Sequence, residues 1–98
     1  MTDFVHVFVY KDVFVPTAFT PNGNGINDTW FIPAMSAFTH FQISEFNRGG
    51  EIVFHTKNVN IPWDGKYKGI SQPAGAYVYM IDLEEQGRML KGVIMVLR

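Results

Sequence analysis

The loop PNGNGIND, residues 21–28, gathers Asn22, Asn24, Asn27 and Asp28 around Gly23 and Gly25, a set that could turn several oxygen atoms toward one hard cation. Calcium takes about six to eight oxygen ligands, and its loops place Asp or Asn at alternate positions with a glycine to turn the chain. Asn22 and Asn24 have that spacing, but Asp28 supplies the loop's one carboxylate, so Asn22, Asn24 and Asp28 make only a weak calcium candidate. The competing reading is a turn, because Asn and Gly tolerate positive φ and Asx side chains bond their own backbone two residues on.

Trp63-Asp64-Gly65 poses a second choice between chemistry and scaffolding. An exposed indole could stack on a sugar ring, whereas a buried one would plug the end of a sandwich while Asp64 accepts backbone N–H groups of the turn. Scaffolding is favoured, since a carbohydrate groove needs several coplanar exposed rings. His6, His40 and His55 fall in separate segments, without the i, i+2 or i, i+4 spacing of zinc ligands. Glu84 and Glu85 sit beside a turn, where carboxylates are usually solvated, and no Ser-His-Asp set or working carboxylate pair accompanies them. No catalytic residue is assigned, and neither an enzyme activity nor a small-molecule substrate is expected.

Bulk properties narrow the classes further. The 98 residues are expected to form one domain, residues 1–98, with no room for a second core. Eight Lys and Arg against nine Asp and Glu give a formal charge of −1, which leaves no basic footprint for nucleic acid. Hydrophobic residues make up 47% of the chain, ample for a packed core and unlike a disordered segment. Cysteine is absent, which excludes disulfides and thiolate metal sites and leaves the redox compartment open. At the N-terminus Asp3 stands where a signal peptide carries positive charge, and His6, Tyr10 and Lys11 interrupt any apolar segment. An export leader would therefore lie on a longer parent chain. The apolar runs also fall far short of the roughly 18 residues that a membrane-spanning helix needs.

Short strands must position these residues. Residues 4–15 read as one strand and a short second one at VFV, ended by Pro16, and TWFI reads as a short strand stopped by Pro33. PAMSAFTH stays open between a single helical turn and a loop. FQISEFN, the turn NRGG and EIVFHT form a β-hairpin signature. The stretch NVNIPWDGKYKGISQPAG is too punctuated for a regular element, after which AYVYMIDLEE makes a long strand and MLKGVIMVLR a last one running to the final residue. About seven strands with no helix between them predict an all-β fold, an immunoglobulin-like antiparallel β-sandwich.

The last strand is apolar on both faces: Val93, Met95 and Leu97 share one side, Ile94 and Val96 the other. It is either an inner strand covered on both sides or a strand that a partner completes by β-augmentation.

Taken together, VPTAFTPNGNGINDTWFI, ISEFNRGGEIVF, WDGKYKGISQPAGAYVYMIDL and the final KGVIMVLR resemble, in order and spacing, the type B C-terminal sorting domain of the type IX secretion system, also called the gliding-motility-associated C-terminal domain. The resemblance covers residues 13–98. FTPNGNGIND and the basic terminal residue are its distinctive parts, whereas WDG followed by PAGAY also occurs in other bacterial Ig-like modules. Two positions depart from the pattern: Asn24 stands where the family usually has Asp, which weakens a metal site, and Gly49 where it usually has an aromatic ring.

The resemblance implies a transport address at the C-terminus of an exported protein, which carries its cargo across the outer membrane and helps retain it at the cell surface. The partners it implies are the type IX machinery and a PorP/SprF-like outer-membrane protein. The surface expected to be read comprises Thr20, Pro21, Asn22, Asn24, Asn27 and Asp28 of the loop and Lys91, Val93, Met95, Leu97 and Arg98 of the last strand, with Arg98 as a bidentate donor. Trp63, Asp64, Gly65, Pro73, Gly75 and Tyr77 are assigned structural roles. The alternatives are a carbohydrate-binding or adhesion module using Trp63 and Tyr67, and a structural spacer of a surface protein.

Overall fold

The segments of period-two alternation become the strands of one central sheet. A computed structural model describes residues 7–10, 13–23, 25 and 28–98. Its strands are β1 Val7–Tyr10, β2 Val13–Pro16, β3 Ala18–Phe19, β4 Gln42–Phe46, β5 Ile52–Thr56, β6 Lys66–Tyr67, β7 Ile70–Ser71, β8 Gly75–Leu83 and β9 Arg88–Val96. Five of them form a sheet in the order β3-β9-β8-β4-β5, while β1–β2 and β6–β7 are separate hairpins. Among the described residues the only helical segments are two 3₁₀ turns, Pro33–Ala37 and Glu84–Gln86, so the fold is all-β as expected.

One face of the sheet is dry. Ile43, Tyr77, Tyr79, Ile81, Leu83, Leu90, Ile94 and Val96 project from it into a single cluster with Val13, Val15, Trp30, Ile32, Met35 and Trp63, which supply the second layer. The alternation of β8 and β9 produces this: Tyr77, Tyr79, Ile81 and Leu83 of β8 and Leu90, Ile94 and Val96 of β9 are buried on one side, and the antiparallel register sets Tyr77 opposite Ile94 and Ile81 opposite Leu90. Gly92 faces Tyr79 in the same register, and a Cβ there would lie 2.4 Å from the Tyr79 hydroxyl. The missing side chain makes room for the phenol, whose ring packs 5.3 Å from that of Trp30.

The structure departs from the sequence expectations in four places. β3 runs parallel to β9, although an antiparallel sheet was expected. The chain leaves its pairing with β1 at Pro16, which has no N–H to donate, and Thr17 then accepts a hydrogen bond from Met95 N at 2.8 Å. TWFI is not a strand: Trp30 makes a single bridge with Trp63, and the prolines at 33 and 62, just beyond, cannot extend a ladder. The punctuated stretch holds the hairpin β6–β7, turned by Lys68 and Gly69 at φ 54° and 80°, the two positive values that a type I′ turn requires. Finally, β9 stops at Val96 and does not run to the final residue. PAMSAFTH, open between a helical turn and a loop, contains the first 3₁₀ turn.

Candidate functional site

The quoted motifs, far apart in sequence, converge at one end of the sheet. β9 runs out beside β3, so that Leu97 N donates to Phe19 O at 2.9 Å and delivers Arg98 to the loops that follow β3 and precede β8. There the Arg98 guanidinium donates to three backbone carbonyls: Gln72 O at 2.9 Å, Gly65 O at 3.3 Å and Pro21 O at 3.4 Å. Gln72 N bonds Gly65 O in turn at 2.8 Å. Gly65 is required twice over here, since its φ is 81° and a Cβ would meet Pro21 Cγ at 3.0 Å and Arg98 Nη2 at 3.3 Å.

The aromatic residues below this knot are its foundation. Trp63 is fully buried, with ring centroids of Phe19, Tyr77 and Phe54 at 5.5, 5.1 and 6.3 Å, and its Nε1 donates to Lys66 O at 2.9 Å. Asp64 Oδ1 accepts Lys66 N at 3.0 Å, the role expected of it. The Tyr77 hydroxyl donates to Pro73 O at 2.6 Å, and burial pushes its phenol above the ordinary value while the Arg98 charge pulls it partly back. The sugar-stacking use of Trp63 is therefore overturned: no face of the indole reaches solvent.

In the amide-rich loop the carboxylate of Asp28 folds back on its own chain. It accepts Asn22 N at 3.2 Å, Gly23 N at 3.0 Å and Gly25 N at 2.6 Å, an anion held by three backbone amides of the loop. Gly23 and Gly25 adopt φ of 78° and 82°, so the loop is a turn built around Asp28. Asn24, Asn27 and His6 lie outside the described residues. His40 and His55 are apart, the first bonded through Nδ1 to Thr39 Oγ1 and the second through Nε2 to Gln42 Oε1. Among the described residues no three His, Asp or Glu side chains come together to hold a metal.

The other face of the sheet tells a different story. Neither reading of the last strand holds in full: β9 pairs with β8 along its length and with the two-residue β3 at Met95 and Val96, and the N–H groups of Met95 and Leu97 are already bonded, so its last residues are not open to an added strand. Yet its outward side chains stay bare, with Val93, Met95 and Leu97 at 52, 38 and 46% exposure. Lys91 is exposed on the same side. The register extends this surface into residues not foreseen from sequence: Val93 stands opposite Val78, Val78 opposite Phe46 and Phe46 opposite Ile52, an apolar row across four strands. The outward alternation of Ala76, Val78 and Met80 in β8 was the signal available for it. Between the β4–β5 turn and the start of β8, Gly49, Pro73, Ala74 and Tyr77 help line an open cavity of about 390 Å³. A Cβ at Gly49 would meet only Asn47 Oδ1, at 3.5 Å, so a ring at this position could enter that space.

Two glutamates contrast in setting. Glu85 Oε1 accepts the amides of Thr39 and His40 at 2.6 and 3.2 Å, which holds its carboxyl below the ordinary value. Glu45 projects into the core between Phe54 and Tyr79 with neither oxygen bonded, and burial pushes it well above that value.

No curated protein and no solved structure matches the chain significantly. The model of one family, described as the CHU_C type IX secretion signal domain, matches residues 13–96, a span that starts at the first buried residue of β2 and stops with the end of β9. That span takes in the loop, the aromatic foundation and both long strands, and the chain accordingly belongs to the CHU_C type IX secretion signal domain family.

Proposed function

We propose that the domain is a non-catalytic address that directs a cargo protein across the outer membrane through the type IX system and helps hold it at the cell surface. The family supports a secretion signal of that system and export across the outer membrane. The observation that carries the finer reading is the bare apolar side of β9, which the core does not use. Recognition then falls on the outward side chains of Lys91, Val93, Met95 and Leu97 and on the neighbouring loop of Thr20, Pro21, Asn22, Asn24, Asn27 and Asp28. The contacting partner is a PorP/SprF-like outer-membrane protein. Arg98 contributes by holding the loops in place, since its guanidinium is engaged with three carbonyls.

The reading calls for no cofactor, because Asp28 already serves three backbone amides. It calls for no membrane insertion by a helix either, and among the described residues none is long and apolar enough to cross a membrane.

The test uses a reporter fused between a signal peptide and this domain, produced in a host with a working type IX system. Deleting residues 91–98 would be uninformative, because β9 pairs along its whole length with β8 and its loss would unfold the sheet. Substituting Val93, Met95 and Leu97 together by Thr keeps β propensity while removing the apolar surface. Loss of surface delivery with an unchanged unfolding midpoint is the expected result. Full delivery by the variant would favour a structural spacer, which tolerates changes on an unused face.

A further inference from the structure

Glu45 lies in the middle of β4 with no exposed surface, and neither carboxyl oxygen has a hydrogen-bond partner. Alternation puts it on the same inner face as Ile43, where Phe54 of β5 and Tyr79 of β8 are its cross-strand neighbours. A buried carboxyl without a partner is tolerated as the neutral acid, whereas its anion in such surroundings is far more costly. Among the described residues no cation is bonded to it: the other titratable side chains of the described core are the phenols of Tyr77 and Tyr79, and the second layer contributes Val13, Val15, Trp30, Ile32, Met35 and Trp63. Of the charged and titratable residues of the neighbouring strands, His55 of β5, Asp82 of β8 and Lys91 of β9 stand on the opposite face by register, and Arg88 shares the inner face only at the far end of β9, opposite Leu83, whereas Tyr79 beside Glu45 pairs with Gly92.

Its position makes a local response possible. β4 and β5 form the last hairpin of the sheet, with β5 at the edge, and their pairing shifts register between Glu45 and Phe46. A bulge of this kind is a local break in the ladder. Opening that hairpin would give the carboxylate water without dismantling β8 and β9, whose pairing is the longest in the fold.

We propose that Glu45 is a proton-controlled latch: while it carries its proton the β4–β5 hairpin lies closed on the sheet, and when the proton leaves, the hairpin opens ahead of the rest of the domain. The proton goes to solvent water, and no other group is needed. The direction follows from linkage. An acid harder to ionise in the folded than in the unfolded chain costs stability as pH rises above its ordinary value near 4.5, until the folded form also ionises. Acid therefore closes the latch and base releases it.

The test is hydrogen exchange of the backbone amides of the intact chain at about pH 5 and about pH 8, corrected for intrinsic rates. Protection of the β4 and β5 amides is expected to fall at least about tenfold more than that of the β8–β9 pairs across this interval. Glu45→Gln, which keeps the shape but cannot ionise, should remove the difference, and Glu45→Leu should remove it while raising protection at both pH values. The proposal is overturned if wild-type protection of the hairpin does not change with pH, if the change survives in Glu45→Gln, or if β8 and β9 lose protection in parallel with the hairpin. None of these readouts depends on export, so the latch and the sorting function stand or fall separately.

Discussion

Arg98 and Glu45 are ionisable side chains of opposite kind in opposite circumstances. Arg98 sits at the surface, yet its guanidinium binds three loop carbonyls brought from residues 21, 65 and 72. Glu45 sits in the core, and its carboxyl binds nothing. A charge at the rim can tie distant loops together at little desolvation cost, because water still solvates it, whereas a charge at the centre must be neutralised before the sheet can close over it. The end where Arg98 gathers the loops is thus the polar-satisfied end of the molecule, and the middle of β4 is its weak point.

The contrast can be broken first at its foundation. Trp63→Ala removes the ring on which Phe19, Tyr77 and Phe54 pack and on which the Arg98 knot rests, and should cost about 3–5 kcal/mol. Urea unfolding would measure it, and a loss below about 1 kcal/mol would mean that the knot does not depend on its aromatic base. Glu45→Leu works in the opposite direction: removing an unsatisfied buried carboxyl should stabilise the domain by about 1–3 kcal/mol. That gain should be larger at about pH 8 than at about pH 5, because the folded carboxyl resists ionisation while the unfolded one does not. Equal unfolding midpoints for variant and wild type at both pH values would show that the core accommodates Glu45 freely.

Arg98→Ala should be milder, about 1 kcal/mol, since two of its three bonds are exposed to solvent. Its signature is local, with exchange of the Gln72 amide accelerated while the β4 amides are unaffected. Uniform acceleration throughout the sheet would contradict a role confined to the loops. The smallest effect belongs to Glu85, whose amide bonds favour the ionised form. The stability it adds is present above the ordinary value near 4.5 and disappears as pH falls through its lowered folded value, the reverse of Glu45. Glu85→Gln should therefore melt slightly below wild type at neutral pH and together with it in strong acid.

How much of this was legible in the sequence depended on distance along the chain. The β4–β5 hairpin and the strands β8 and β9 announce themselves through alternation, because the sheet has one dry face and one wet one. The same alternation puts Glu45 in line with Phe41 and Ile43, so its burial was readable in principle, although polarity argues against it locally. The hairpin β6–β7 escaped because Lys68 occupies a left-handed position that sequence rules reserve for Gly, Asn or Asp. TWFI reads as a strand but is not one, because strand-like residues form a strand only when a partner offers a ladder, and prolines limit this one to a single bridge. The Arg98 knot could not be read at all, since three short loops meet only after β9 has been placed between β3 and β8. Assignment of Thr20, Asn22 and Asp28 to one surface followed from their proximity in sequence, but that Asp28 spends its carboxylate on the loop's own amides needed the geometry.

The most direct measurement of the central claim is surface delivery of the signal-peptide reporter carrying this domain, compared between a host with a working type IX system and the same host with that system disabled. The account predicts delivery in the first and retention in the periplasm in the second, with a reporter lacking the domain retained in both. Delivery that is equal in the two hosts, or independent of the domain, would contradict it.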